Sequence, residues 1–139
     1  MIVLDTNVVS EPMKPNGNPA VQVWLDQQVA ETLYLTATSL SELLVDIEIL
    51  ADGKRKEGLA AALNELLARL FGSRILPFDQ QAAMAYAPLV GRARAGGRII
   101  SGADGQIAAI AVVHGYAIAT RDTAPFVAVG VPIINPWEK

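Results

Sequence analysis

The chain contains no cysteine and only one histidine, His114, among its 139 residues. Without thiols there is neither a disulfide framework nor a thiolate zinc site, and a lone imidazole cannot build a histidine cage. Any bound metal must therefore be held by oxygen. No apolar run approaches the ~20 residues needed to cross a bilayer, and the opening Met1-Ile2-Val3-Leu4 meets Asp5 instead of extending into a signal region. No membrane association is expected, and the cytoplasm is the expected compartment. A basic surplus is missing too: 11 Lys and Arg stand against 14 Asp and Glu, a net charge of −3. Domains that bind nucleic acid usually show the opposite balance, because their cations displace phosphate counterions. The sum is weak evidence, since divalent ions bound at clustered carboxylates reverse the local sign.

What is present is apolar surface in quantity: 52% of residues are hydrophobic and 18% charged, which suits one compact domain over residues 1–139. Ile2 to Leu4 reads as a strand, followed by a loop punctuated by Pro12, Pro15, Gly17 and Pro19. Helical spacing then covers Ala20 to Val29, Ser39 to Ala51, Glu57 to Phe71, Gln80 to Ala95 and Ala103 to His114. Strands are expected at Leu33 to Thr36, Ile75 to Phe78, Tyr116 to Thr120 and Val131 to Ile134, the last carrying Pro132 as an edge strand can. Strands alternating with helices imply a parallel sheet covered on both faces, a three-layer α/β/α sandwich. Ligands of such sheets bind beyond the carboxyl ends of the strands.

Acidic residues occupy that edge. Asp5 closes the first strand, Glu42 lies near the start of the helix after the second, Asp104 opens a later helix and Asp122 follows the strand ending at Thr120. Each has a structural alternative. Asp5 and Asp122 can be turn residues, Ser39 with Glu42 fits a capping box, and Ser101 with Asp104 fits its S-x-x-D relative. Their common position at one edge favours a site, because gathered carboxylates repel unless a proton or cation intervenes, and hard Mg²⁺ or Mn²⁺ prefers oxygen ligands. Thr6, Asn7, Ser39 and Thr120 stand beside the acids as candidate hydrogen-bonding contacts to metal-bound water or phosphate, or as caps.

Together Asp5-Thr6-Asn7, Ser39-Leu40-Ser41-Glu42-Leu43, Ala103-Asp104-Gly105-Gln106-Ile107-Ala108-Ala109, and Ala119-Thr120-Arg121-Asp122 with Phe126 resemble the PIN-domain family over the whole chain. Within that family the likeness is to the VapC-type toxins of toxin–antitoxin systems, and Asn135-Pro136-Trp137 adds a FitB-like ending. The resemblance implies a five-stranded parallel sheet between helices and RNA cleavage dependent on Mg²⁺ or Mn²⁺. It assigns Asp5, Glu42, Asp104 and Asp122 to the acidic positions. It also implies a homodimer, a cognate antitoxin covering the active site, and promoter DNA bound through that antitoxin.

Arg92, Arg94, Arg98 and Arg121 precede or adjoin these acids and are candidate contacts to RNA phosphates, against the alternative of a solvated surface. Lys54, Arg55 and Lys56 read as a solvated hairpin tip, and His114 as a partner of a helix carboxyl end. Two rival functions stay in view. A Mg²⁺-dependent phosphatase-like domain also places Asp at a strand end, but one such family wants a second Asp where Asn7 stands. A non-catalytic binding module, acting through an antitoxin or a DNA-bound complex, would use the acids only as caps.

Overall fold

The computed structural model describes residues 1–138 and contains a parallel sheet in which Ile2–Leu4 (β1), Leu33–Thr36 (β2), Ile75–Leu76 (β3), Ala117–Ala119 (β4) and Ile133–Ile134 (β5) are ordered β3-β2-β1-β4-β5. Side chains alternate across it, as strand geometry requires. Leu4, Leu33, Leu35 and Ala119 enter one core, whereas Val3 and Ile118 enter the other. The first core is covered by Thr6–Ser10 (α1), Pro19–Asp26 (α2), Ala37–Glu48 (α3) and Lys54–Leu70 (α4); the second by Gln80–Ala95 (α5), Gly102–His114 (α6) and Ala124–Ala128 (α7). The three layers expected from the alternation are therefore present. Ile133–Ile134 is an edge strand, with Pro132 just before it and only β4 as neighbour.

Several local boundaries differ from the sequence reading, each for a capping reason. The proline-punctuated segment after Asp5 is not a plain loop: the Asp5 carboxylate accepts the Thr6 amide and starts α1, a 3₁₀ turn spans Glu11–Met13, and Asn18 caps α2 with Pro19 in its first turn. The Thr36 hydroxyl accepts the Ser39 amide at 3.0 Å, so α3 begins at Ala37 and the Ser39–Glu42 capping box does not form. Lys54, Arg55 and Lys56 stand at the tip of the α3–α4 hairpin, where they form the first turn of α4; Lys54 and Arg55 are exposed, and Lys56 reaches back to the Glu48 carbonyl and the Asp52 carboxylate. Helix α7 went unread in the sequence, and it begins with Pro125 in its first turn. The Ser101 cap of α6 forms as expected, its hydroxyl accepting the Asp104 amide at 3.1 Å.

Glu11 is buried under the turn before α2, where it accepts the Asn18 amide at 2.8 Å and pairs with Lys14 at 3.1 Å. These contacts hold its carboxyl below the ordinary glutamate range, the Asn18 amide most of all.

α5 and α6 pack closely because Gly105 has no side chain. A Cβ there would meet Tyr86 Cε2 at 2.7 Å and Val90 Cγ2 at 3.3 Å. The Tyr86 ring is itself packed edge-on against Phe78, so it cannot swing aside cheaply. Gly105→Ala is expected to cost about 1–3 kcal/mol by overpacking, read as a lower Tm in thermal denaturation. An unchanged Tm would mean that the two helices separate freely.

Candidate functional site

The sheet order places the break in connectivity between β1 and β4, since the chain builds outward from β1 to β3 and then crosses back to β4. At such a switch point the loops leaving adjacent strands diverge and open a crevice at their carboxyl ends. Asp5 leaves β1 there, its amide donating to the Ala119 carbonyl at 2.9 Å, and Thr120-Arg121-Asp122 leaves β4.

Asp5 is 6% exposed and held at both oxygens. Oδ1 accepts the Thr6 amide at 2.8 Å, and Oδ2 accepts the Thr120 hydroxyl at 2.8 Å and the Asn7 amide nitrogen at 3.5 Å. Burial raises its pKa to about 6; the bonds from Thr120 and Thr6 oppose that rise, and the charges of Asp104 and Glu42 add to it. Glu42, half-buried on α3, accepts the Thr6 hydroxyl at 2.7 Å. Asp104 on α6 is also raised, by burial first and then by repulsion from Asp122 and Glu42, with Ser101 pulling the other way. These mutual influences bring Asp5, Glu42, Asp104 and the exposed Asp122 into one electrostatically coupled group.

As donors they fit a hard cation, because every available ligand atom is oxygen and the mutual repulsion is what a divalent ion relieves. Among the described residues no three of these acids stand close enough to surround one ion as they are placed. The carboxylates are gathered but not closed around a centre.

The polar neighbours divide into two kinds. Thr120 is fully buried and works as a junction: it donates to Asp5, while its oxygen accepts the Asp122 amide at 3.1 Å. Ser39 is fully buried as well, and its hydroxyl has no partner among the described residues. Both lie beneath the surface in this structure, Thr120 as a support of Asp5. Thr6 and Asn7 are half-buried, and Asn7 also accepts the Arg121 amide at 3.3 Å, tying the two strand exits together.

Arg121 lies over the Trp137 ring, with its guanidinium carbon 5.5 Å from the ring centroid, and its charge also reaches Glu11. Arg98 lines a groove of about 690 Å³ with Thr123, Pro125 and Val127, just beyond Asp122. Arg92 and Arg94 sit exposed in the last turn of α5, where they complement the helix carboxyl end. Among the described residues neither side chain bonds to the acidic group. Sequence reading passed over Thr36, Thr38 and Gln106; the available signal for Gln106 was a lone amide inside the apolar stretch of α6.

A family model described as PIN domain matches residues 2–131. The chain is 50% identical over 139 residues to a VapC ribonuclease, Y4jK, of Sinorhizobium fredii, covering 99% of each. It is 44% identical over 137 residues to the toxin FitB of Neisseria gonorrhoeae, again covering 99% of each. A solved structure of FitAB bound to the IR36 DNA fragment superposes with a TM-score of 0.95 at 42% identity, covering 100% of this chain and 97% of that one.

Proposed function

Since this chain belongs to the PIN-domain family, we propose that it is the ribonuclease toxin of a toxin–antitoxin pair, hydrolysing RNA phosphodiesters with Mg²⁺ or Mn²⁺ held by Asp5, Glu42, Asp104 and Asp122. The observation that carries this reading is the coupling of buried Asp5 to Asp104 and Glu42 at the β1/β4 switch point, because a fold gains no stability from like charges placed there. The whole-length likeness to a VapC ribonuclease supports the substrate class.

A divalent ion at such a site supplies Lewis acidity: it lowers the pKa of a bound water and neutralises charge on the phosphate. The chain's own residues prepare the position. Thr120 and Asn7 at Oδ2 and the Thr6 amide at Oδ1 fix the rotamer of Asp5 and leave acceptor capacity on Oδ1. Thr6 holds Glu42 through one oxygen, and among the described residues the other has no partner. Arg121, braced on Trp137, presents a guanidinium beside Asp122 for a backbone phosphate, and Arg98 offers a second cation along the groove. Thr6 and Asn7 are the polar side chains near enough to the surface to contact substrate.

A cognate antitoxin and promoter DNA bound through that antitoxin complete the assembly, supported by the FitAB complex with a DNA fragment, and the family resemblance adds a homodimer. The test is cleavage of a mixed RNA pool with Mg²⁺, Mn²⁺ or EDTA, using protein freed of antitoxin. Cutting is expected with either ion and none with EDTA, and Asp104→Asn is expected to be silent. Cleavage that persists in EDTA, or in folded Asp104→Asn, would refute the assignment.

A further inference from the structure

The helices that carry Glu42 and Asp104 are joined by one side-chain hydrogen bond among the described residues: the Thr38 hydroxyl donates to Gln106 Oε1 at 2.9 Å. Thr38 precedes Glu42 by one helical turn on the same face of α3, and Gln106 lies two residues beyond Asp104 on α6. Neither residue belongs to the acidic group. Both are half-buried between α3 and α6, which pack against each other.

Resting on the metal-dependent reading above, we propose that Thr38 and Gln106 are a positioning pair that sets the separation of Glu42 from Asp104 and thereby the affinity of the site for a divalent cation. The two carboxylates repel each other. Among the described residues no bond of their own side chains opposes that repulsion across the helix pair, since Glu42 is held by Thr6 of α1 and Asp104 by Ser101 of its own cap. The Thr38–Gln106 bond is the described polar tie across the same interface. It lies within one turn of each acid, where helices are stiff enough to pass a small shift directly to the carboxylates. Loss of the tie lets the helix ends spread and leaves more distance for a cation to close. Gln106 is also the one uncharged hydrogen-bonding side chain between Asp104 and His114 in an otherwise apolar helix, a choice that core packing alone does not explain.

The test uses near-isosteric variants of the full chain, Thr38→Val and Gln106→Met, with their double variant and Thr38→Ser. Mn²⁺ affinity is measured by calorimetry, and folding by circular dichroism in EDTA. Each single variant is expected to bind Mn²⁺ several-fold more weakly, up to the roughly tenfold at which loss of a ligand's direct hydrogen-bond partner begins, because the pair acts through the helices and not on the carboxylates themselves. The double variant should lose no more than either single one, because both remove the same contact. Thr38→Ser, which keeps the hydroxyl, should recover the affinity. Folded single variants that bind Mn²⁺ like wild type, or losses that add in the double variant, overturn the pair's role while wild-type cleavage leaves the nuclease reading standing. Absence of Mn²⁺ binding and of cleavage in wild type itself would overturn both.

Discussion

In EDTA at pH 8, Asp5→Asn is expected to melt several degrees above wild type, while with Mg²⁺ it should cleave RNA roughly a hundredfold or more slowly. The activity loss follows from rank: removing outer partners of metal ligands already costs ~10–100-fold, and Asp5 is assigned a direct ligand's position. The stability gain follows from linkage. Asp5 has a folded pKa near 6 against an ordinary 3.8, so the folded state holds the proton more tightly than the unfolded one. Above pH 6 the folded protein carries a buried, unfavourable charge; as pH falls from 6 toward 3.8, protonation relieves it and stability rises. At ~1.4 kcal/mol per pKa unit the charge costs up to about 3 kcal/mol. The substituted amide donates where Thr120 now donates, which reduces the net gain to about 1–2 kcal/mol. The advantage of Asp5→Asn should shrink as pH falls below 6 and vanish near pH 4. Melting curves in EDTA from pH 4 to 8 read this directly; a variant less stable than wild type at pH 8 would show that Asp5 is there to hold the fold. Added Mg²⁺ should reverse the order by stabilising wild type alone.

Phe126→Ala should lower stability by about 3–5 kcal/mol, a Tm decrease of roughly 10–15 °C. Phe126 is fully buried in the core shared by Val3, Leu89, Ile107 and Ile118, and it is the residue through which α7 is anchored. The loop bearing Arg121 and Asp122 runs directly into α7, so the same ring that fills the core also fixes the exit from β4. The cavity left by alanine cannot collapse easily between α6 and the sheet, which keeps the cost within the full range for an aromatic truncation. Chemical denaturation gives the measure. A loss under 1 kcal/mol would mean that α7 is an appendage and that Asp122 depends on other contacts for its position.

Much of the site was legible because strand ends are. Ile2–Leu4 and Leu33–Thr36 were read to the residue from a short β-preferring run broken by a polar one, so Asp5 could be placed at a carboxyl end without coordinates. Gln80–Ala95 was likewise read to the residue despite Pro88 in its interior, since its exit at Gly96-Gly97 is unambiguous. The start of α3 was misread for a physical reason: Thr36 and Ser39 are both competent caps, and the choice depends on how far β2 remains paired with β3. That pairing reaches Thr36 opposite Leu76, so the helix can begin only immediately after it. The short α7 is hidden by Pro125, since proline breaks a helix in its interior but favours its first turn, and α1 by its length of five residues, too short to show a helical period.

The sequence alone determined the alternation that makes a layered α/β fold, the oxygen-only character of any metal site, and the arrival of acids after successive strands, because these follow from residue chemistry and local periodicity. Tertiary structure decided which polar neighbours face outward and which are buried supports. Ser39 and Thr120 lie under the surface, Arg121 rests on Trp137 from the far end of the chain, and Thr38 meets Gln106 across two helices. Such pairings join residues well separated in the chain, Thr38 and Gln106 by 68 positions, and depend on the angles at which helices cross the sheet. No local preference encodes those angles; they emerge only when both cores are packed.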